Sequence, residues 1–542
     1  MDEKKISFIV RKQDEVSYEE LLQYLKQLQI PDGYSADIVT IETTASKASA
    51  YNEGMQQSDA KYKIYLDEKT RILKSDFLTK MIEVFLADDS IGILGVVGTL
   101  TIPTTGICRD GKKRIGHLIA GSDNRRLMFE AVSGVYQFVE ALDDCLLMTQ
   151  QDILWRDDLF MEDCFYDTAQ CIEFRRHGYK AAVMRQEYYW IQDRRDDFTS
   201  SQAEQNAFLD EYSQEIYPKV LIIITTFNRP DYFRVALESA MNQTYRNLEI
   251  VVTDDSTNDL TKKMIQPYLQ QDNRIKYVKQ QDFTGTDNAL WTMRYIKSTE
   301  AKYINWLMDD DVMSKNKISQ MMTYFLEYEG ISLVTSYRKL IDGNGNLLPD
   351  YQFNKKLFDK TTRISGRDAG RKILMEEKNF IGETSTVLFS KKYMRTGDRF
   401  GWIEDIDPMI GLPDVSMWLQ LLSQGDMVYI VDPLSFFRLH EGQGQGDFNV
   451  IMVCAISWGR KMTYAFESGA FFNSELEYRQ TLVLWMNNLA KEIDRGIKKG
   501  KQSETFNLII EQTTMMINEM MKKYIKKNAR FSEEVYTIKL PI

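Results

Sequence analysis

The chain has 542 residues, 43% of them hydrophobic, with 68 Lys and Arg against 79 Asp and Glu, for a formal net charge of −11. That length exceeds a single core and implies two to four domains, each with enough apolar content to bury an interior. An acidic field of this size repels nucleic acid, excluding it as a partner, and any phosphate chemistry needs a local cation, such as a divalent metal, to offset the field.

The N-terminal residues MDEKKISFIV carry too short an apolar stretch for a signal peptide, and no run of the chain is apolar enough to be a transmembrane segment, so a cytoplasmic protein is expected. The first 215 residues then give strand signals at ISFIV, ADIVTIET, KYKIYLDEKTRI and IGILGVVG. Five scattered cysteines, Cys108, Cys145, Cys164, Cys171 and Cys454, contain no CxxC and read as core thiols, neither a disulfide framework nor a zinc cluster. DRRDDFTSSQAEQNAFLDEYSQEIYPK reads as a helical connection that ends near Pro218.

From residue 216 strands and helices alternate. KVLIIITTFN is a short β-branched run, DYFRVALESAMNQTY places Phe233, Leu237 and Met241 at helical spacing, and NLEIVVTDDS is the next strand. A helix near Met264, the strand RIKYVKQ, the helical DNALWTMRYIKS and the strand AKYINWLM follow, and the last runs into three carboxylates, Asp309, Asp310 and Asp311. The alternation implies a mainly parallel sheet with helices on both faces, with ligands beyond the carboxyl ends of the strands. Thr225, Phe227, Asp254, Asp255 and the acidic triplet all fall at such ends. Taken alone, the triplet reads as a solvated turn and Asp254-Asp255-Ser256 as an Asx turn.

After residue 448 the chain reads as helical. NSELEYRQTLVLWMNNLAKEIDRGIKK has a capping Ser and apolar residues Leu482, Trp485, Leu489 and Ile493 at helical spacing, and TFNLIIEQTTMMINEMMKKYIKK adds a Met-rich stripe with Met516 and Met520. Lys522, Lys523, Lys526 and Lys527 complement that helix end. The organisation expected is therefore 1–215, 216–447 and a helical 448–542, with the tail or the N-terminal domain as the place for any homo-oligomer contact.

The segment VLIIITTFNRPDYFRVALESAMNQTYRNLEIVVTDDSTND resembles the opening of family 2 glycosyltransferases of the GT-A fold, and MDDDV sits where that family carries its DxD motif. FIGETSTVLFSKK and PDVSMWLQLLSQGDMVYIVDPLSFFRLHEGQ resemble the family's acceptor-side helix and its closing strand and loop, so the resemblance covers about residues 218–447. It implies a Rossmann-like α/β domain that moves a sugar from a nucleoside diphosphate to a hydroxyl with inversion.

What the resemblance implies for single residues has a chemical reason in each case. Charge builds on the departing diphosphate, and a divalent ion on hard oxygen ligands, Mn2+ or Mg2+, stabilises it. Asp309 is expected on the nucleoside side and Asp311 on the metal, with Asp310 between them. Asp255 matches the acid that bonds the base, and Thr225 and Phe227 match positions lining the base pocket; Asp254 fits either donor binding or support of the turn. A carboxylate acceptor for a base imino group favours a UDP-sugar. Asp414 matches the general base at a helix start, where an N-cap role competes with it, and Glu404, Asp405 and Asp407 are its alternatives. Glu383 is expected in the acceptor pocket. His440, one of three histidines, is expected to complete the metal or diphosphate site, with the Gly-rich EGQGQGD as a lid.

The first 215 residues resemble a bacterial glycosyltransferase-like family, carried by YLDEKT and by QQDILWRDDLFMEDCFYDTAQCIEFRRHGYKAAV. Lys69 stands where a further carboxylate is needed, so this half is read as a degenerate copy, not an independent transferase. The acceptor is expected on a protein or glycan. A catalytically inactive nucleotide-sugar-binding or scaffold protein is the alternative. A nucleotidyltransferase is less favoured, because TTFNRPDYFR has no glycine for a phosphate loop.

Overall fold

The computed structural model describes residues 1–43, 45–195, 201–279, 287–395, 397, 400–401, 411–441 and 448–498, with scattered positions between 507 and 518. The chain divides into two compact units. One is Met1–Lys219 with Gln243–Leu248 and Asn316–Glu329; the other is Val220–Asn242, Glu249–Lys315 and Gly330–Ile542.

The first unit is built on a seven-stranded sheet in the order Ser35–Glu42, Asp2–Lys12, Ala60–Asp67, Leu147–Thr149, Ile91–Gly95, Lys180–Met184, Tyr136–Val139. The first three strands are parallel. Ile6, Ile9, Val10, Ile64 and Leu66 are fully buried although they point to both faces, as parallel strands covered by helices on both sides require. Helix Lys47–Gln57 packs on the Asp2–Lys12 strand at Gly54, where a Cβ would lie 2.4 Å from Ile9 Cγ2. That close approach sets the height of the helix start, and with it the position of Lys47. All five cysteines of the chain are reduced thiols, four of them buried. The expected helical connection is present as Gln202–Ile216, capped by Ser201.

The second unit has the α/β architecture expected of the GT-A fold. Its sheet runs Ile275–Lys279, Leu248–Asp254, Val220–Thr226, Tyr303–Met308, Leu388–Ser390, Ile331–Ile341, Asp426–Arg438, Val312–Met313. The parallel pairs carry antiparallel additions, Leu388–Ser390 beside Tyr303–Met308 and Val312–Met313 beside Asp426–Arg438. Leu221, Ile222, Ile223 and Ile224 are fully buried, each contributing about 1.5 to 3 kcal/mol of apolar burial. Helix Pro230–Met241 begins with Pro at its first turn and buries Phe233, Ala236, Leu237 and Ala240, one stripe at three- and four-residue spacing. The chain leaves Val220–Thr226 toward one edge of the sheet and returns as Tyr303–Met308 on its other side. The crevice beyond the carboxyl ends of these two strands is a topological switch point, the place such sheets offer a ligand.

Helices Phe448–Glu467 and Glu475–Lys498 close the described chain. The second starts on a reciprocal cap, with Ser474 Oγ accepting from Glu477 N and Glu477 Oε2 accepting from Asn473 N. The two helices meet where Gly459 admits Trp485; a Cβ at Gly459 would lie 2.4 Å from that ring. Trp485 and Leu489 are buried as their spacing predicts. The Met-rich stripe with Met516 and Met520, and the lysine cluster after it, lie outside the described residues. Among the described residues, no helix is long and apolar enough to cross a membrane.

Candidate active site

Parallel register brings the expected strand ends level with one another, pairing Thr225 with Met308 and Asp254 with Lys279. Thr225 Oγ1 accepts from the Trp306 indole at 3.2 Å. The next residue but one, Phe227, is half-exposed, and its backbone N–H donates to Asp309 Oδ2 at 3.3 Å. Asn228 then takes a left-handed conformation, φ 53°, that lets its amide bind the following turn: Asn228 N donates to Ser256 Oγ at 2.8 Å and Asn228 Oδ1 accepts from Thr257 N at 3.1 Å. Asp255 is exposed on that turn and bonds Asn288. Asp254 is fully buried beneath it, accepting from Ser256 N at 2.8 Å, Tyr277 Oη at 2.7 Å and Lys279 Nζ at 3.2 Å. Of the two roles open to Asp254, these contacts are those of support for the turn.

Two side chains of the acidic triplet share Arg229 and the third turns inward. Asp309 Oδ1 lies 3.5 Å from Arg229. Asp310 Oδ2 accepts from Arg229 Nη1 at 3.1 Å and lies 3.0 Å from His440 Nε2. Asp311 points inward: it is 2% exposed and its Oδ1 accepts from Arg438 N at 3.0 Å. Arg438 Nε also donates to the Asp310 carbonyl at 2.7 Å, so the closing strand grips the turn that carries the acids. His440 is backed by Tyr232, whose ring centroid is 5.1 Å away, and Arg438 lies over the same ring. Burial, then the charge of Asp310, pushes Asp309 up and takes Asp311 to about 8. Three carboxylates this close and this dry favour a cation among them.

Among the described residues, no three His, Cys, Asp or Glu side chains converge on one metal position. Asp310 and His440 do share one point of approach. A hydrated divalent ion is commonly held by one or two protein ligands and completes its shell with water and substrate phosphate, so this pair fits such an ion. Asp310, between the two acids assigned by resemblance, is thus the one that faces His440.

On the other side of the acids, Glu383 forms a two-pronged ion pair with Arg338, Oε1 to Nη2 at 3.0 Å and Oε2 to Nε at 2.7 Å. Asp414 lies in the first turn of helix Pro413–Leu422. It is not the N-cap: Leu412 holds that position in a left-handed conformation, because Pro413 fixes the first helical residue and moves Asp414 one step inside. Its Oδ2 accepts from Asn379 Nδ2 at 2.8 Å. Burial, then the charge of Glu383, pushes the Asp414 carboxyl up, and Lys461 opposes them. Glu383 acts on Asp311 in the same sense, so the two acids share its field. Lys461, on helix Phe448–Glu467, is 3% exposed and donates to the Gly411 carbonyl at 2.9 Å; burial pulls its ammonium down to about 7. Glu404, Asp405 and Asp407 and the Gly-rich segment 442–447 lie outside the described residues.

Sequence reasoning passed over Arg229, Arg438 and Lys461. Arg229 carries a signal in hindsight, a cation between a strand end and the Pro that opens a helix. Lys461 carries none, because its place depends on how the C-terminal helix folds back.

Residues 221–393 match the family described as glycosyl transferase family 2, and residues 7–212 match one described as glycosyltransferase like family. Models of two glycosyltransferase families thus match successive stretches of the chain, each less than half of its length. A Campylobacter jejuni protein named GalNAc(5)-diNAcBac-PP-undecaprenol beta-1,3-glucosyltransferase is 32% identical over 34% of this chain and 55% of its own length. An uncharacterized glycosyltransferase of Rickettsia bellii is 25% identical over 57% of this chain and 45% of its own. The chain spans about half the length of these relatives. Among solved structures, S. aureus TarS 1-349 in complex with UDP-GlcNAc is 14% identical with a TM-score of 0.39, covering 54% of this chain and 80% of that one.

Proposed function

We propose that the second unit is the catalytic domain of an inverting glycosyltransferase that moves a sugar from a nucleoside diphosphate, UDP first among the candidates, to a hydroxyl acceptor. The observation that carries this reading is the position of Asp310 Oδ2, within 3.1 Å of both Arg229 and His440, beside the Phe227–Asp309 contact at the switch point. Asp310 and His440 would hold Mn2+ or Mg2+, which takes the metal role from Asp311 to its neighbour. When bound, the ion supplies charge stabilisation for the departing diphosphate.

The protein's own groups supply the rest. Thr225, Phe227 and Asp255 border the space for the base, and Asp309 lies where the donor's ribose side would meet the sheet. Arg229 adds a fixed positive charge at the diphosphate position. Asp414 takes the proton from the attacking hydroxyl; its raised affinity for protons, imposed by burial and Glu383, brings a carboxylate nearer the operating pH. Glu383, held by Arg338, shapes the acceptor side. In this reading 216–447 is the transferase domain, 448–542 its helical cover, and 1–215 a domain without transferase activity of its own.

The acceptor is a hydroxyl on a glycan or a protein. The name of the C. jejuni relative makes a glycan on a polyprenyl diphosphate the first to try. Full-length protein incubated with a panel of UDP-sugars and Mn2+ should hydrolyse its donor slowly in the absence of acceptor. Absence of both turnover and metal-dependent nucleotide binding would refute the enzyme in favour of a nucleotide-sugar scaffold.

A further inference from the structure

The second unit contains a small cavity of about 140 Å³, lined by strand Ile331–Ile341 at Ser336 and Arg338, by the loop 352–357, and by Lys378 and Phe380. Asn379, between the last two, donates to Asp414 Oδ2 at 2.8 Å, and Arg338 holds Glu383. The cavity therefore adjoins the side of Asp414 given to the acceptor. Sites that enclose a whole small molecule measure about 300 to 1,000 Å³, so this one has room for a single unit of a larger ligand.

The loop that walls the cavity is pinned along its length. Asn354, 2% exposed, accepts from Tyr351 N at 2.7 Å and donates to the Arg338 carbonyl at 3.3 Å. Tyr337 Oη donates to Asp350 at 2.6 Å where the loop begins, and Leu357 N donates to Tyr429 Oη at 3.2 Å where it ends. Held in this way, the loop presents Tyr351 and Phe353 as a flat apolar shelf: the residues are 50% and 42% exposed, and their rings lie 6.1 Å apart and within 3° of parallel. Such a shelf suits the apolar face of a sugar ring.

Among the described residues, no carboxylate lines the cavity, whereas Arg338, Lys355, Lys356 and Lys378 do. Glu383 neutralises Arg338. The lysines have no such balance: among the described residues, no carboxylate pairs with any of the three, and Lys356 lies 5.2 Å from the centre of the Tyr337 ring. Ser336, on the same lining, is 2% exposed, and its Oγ has no hydrogen-bond partner among the described residues. A buried hydroxyl left unpaired is unfavourable, and a ligand oxygen at this point relieves it.

We propose that this cavity binds an anionic group on the acceptor glycan, a phosphate or a carboxylate carried by a sugar ring. Lys355, Lys356 and Lys378 meet the charge, the Ser336 hydroxyl donates to one of its oxygens, and the ring rests on the shelf of Tyr351 and Phe353. The inference rests on the acceptor side assigned under the proposed function and deepens it, making charge the feature by which the acceptor is chosen. A chain of net charge −11 repels an acidic glycan over most of its surface, so three uncompensated lysines supply both the attraction and the place.

The test is ligand-detected NMR titration of the full-length protein, without donor, using glucose, glucose 6-phosphate and glucuronate at about 0.15 M salt. At least one of the two acidic sugars should bind tenfold or more tightly than glucose. Lys355→Gln combined with Lys378→Gln, both exposed, should abolish that preference with an unchanged melting midpoint, and Ser336→Ala should weaken the acidic sugar while leaving the protein no less stable. The tighter acidic sugar tells a phosphorylated glycan from one that contains a uronic acid. Because no donor is present, this binding is read separately from UDP-sugar hydrolysis. Hydrolysis without acidic-sugar binding would overturn the site and leave the transferase standing; binding without hydrolysis would keep the site and remove the transferase. Equal affinity for glucose and both acidic sugars, or a preference that survives the double substitution, would overturn the proposal.

Discussion

His440 Nε2 lies 3.0 Å from Asp310 Oδ2, joining the end of the closing strand to the middle of the acidic turn across 130 residues of sequence. The same oxygen meets Arg229, so one carboxylate gathers an imidazole and a guanidinium where a diphosphate would lie. Asp309 reaches the same guanidinium at 3.5 Å but not the imidazole, and Asp311 is turned inward to the Arg438 backbone.

Asp311→Asn tests that division. The Asp311 carboxyl is buried, pushed to about 8 and engaged with the Arg438 backbone N–H, so it is mostly protonated at neutral pH. An amide of the same shape keeps the acceptor oxygen. The variant should fold with stability within about 1 kcal/mol of wild type and keep its stimulation by Mn2+. Loss of metal stimulation with folding intact, measured by donor hydrolysis and circular dichroism, would return the metal role to Asp311.

For Asp414→Asn, transfer should fall by about 10²- to 10⁴-fold while donor affinity stays unchanged. Since Leu412, not Asp414, is the N-cap, helix Pro413–Leu422 loses no cap and the melting midpoint should hold. Joint loss of stability, donor binding and transfer would mark Asp414 as structural.

Lys461 gives a pH signature. Its folded form has an affinity for protons near pH 7 and its unfolded form near 10.5, so between these values the unfolded chain binds more protons and stability rises with pH. The full destabilisation is present below pH 7 and is relieved as pH climbs toward 10.5. Lys461→Met should remove this slope, up to about 1.4 kcal/mol per pH unit, and be the more stable protein at pH 7. It should also shift the acid limb of kcat/KM upward, because the Asp414 carboxylate loses the cation that favours its charged form. Parallel stability curves for the two proteins from pH 7 to 10 would contradict this.

Arg338→Met leaves Glu383 without its partner. Arg338 is buried and Glu383 about a quarter exposed, so the cost should be about 2 to 4 kcal/mol by urea unfolding, toward the low end for the solvent that reaches the pair. Restoring charge with Arg338→Lys should recover only part, since a single ammonium cannot grip both oxygens. A change under 0.5 kcal/mol would show that the pair contributes little.

Much of the second unit was legible because local signals agreed. The run LIIITT is β-branched and fully apolar up to its polar end, and Phe233, Leu237 and their neighbours keep helical period, so strand and helix followed from pattern alone. The position of the acids at strand ends was also legible, since parallel register follows from the alternation. Which acid faces His440 was not: three consecutive carboxylates on a turn differ in direction, and direction is set by backbone contacts such as Arg438 N to Asp311 that join residues far apart in sequence. Glu383 illustrates the same limit, because its ion pair with Arg338 spans 45 residues and neither segment signals the other. In the first unit, YLDEKT shows Lys69 among acids, but not what those acids meet. The cations that face Asp67 and Asp144 come from Lys47, Arg109 and Arg195, on three separate segments that only the fold assembles.

The most direct test of the central claim is the affinity of the full-length protein for UDP, titrated calorimetrically with Mn2+ and with EDTA, for wild type and Asp310→Asn. Mn2+ should strengthen UDP binding to wild type by tenfold or more, and Asp310→Asn should abolish this gain while leaving the melting midpoint within a few degrees. An undiminished Mn2+ effect in Asp310→Asn, or none in wild type, would contradict that claim.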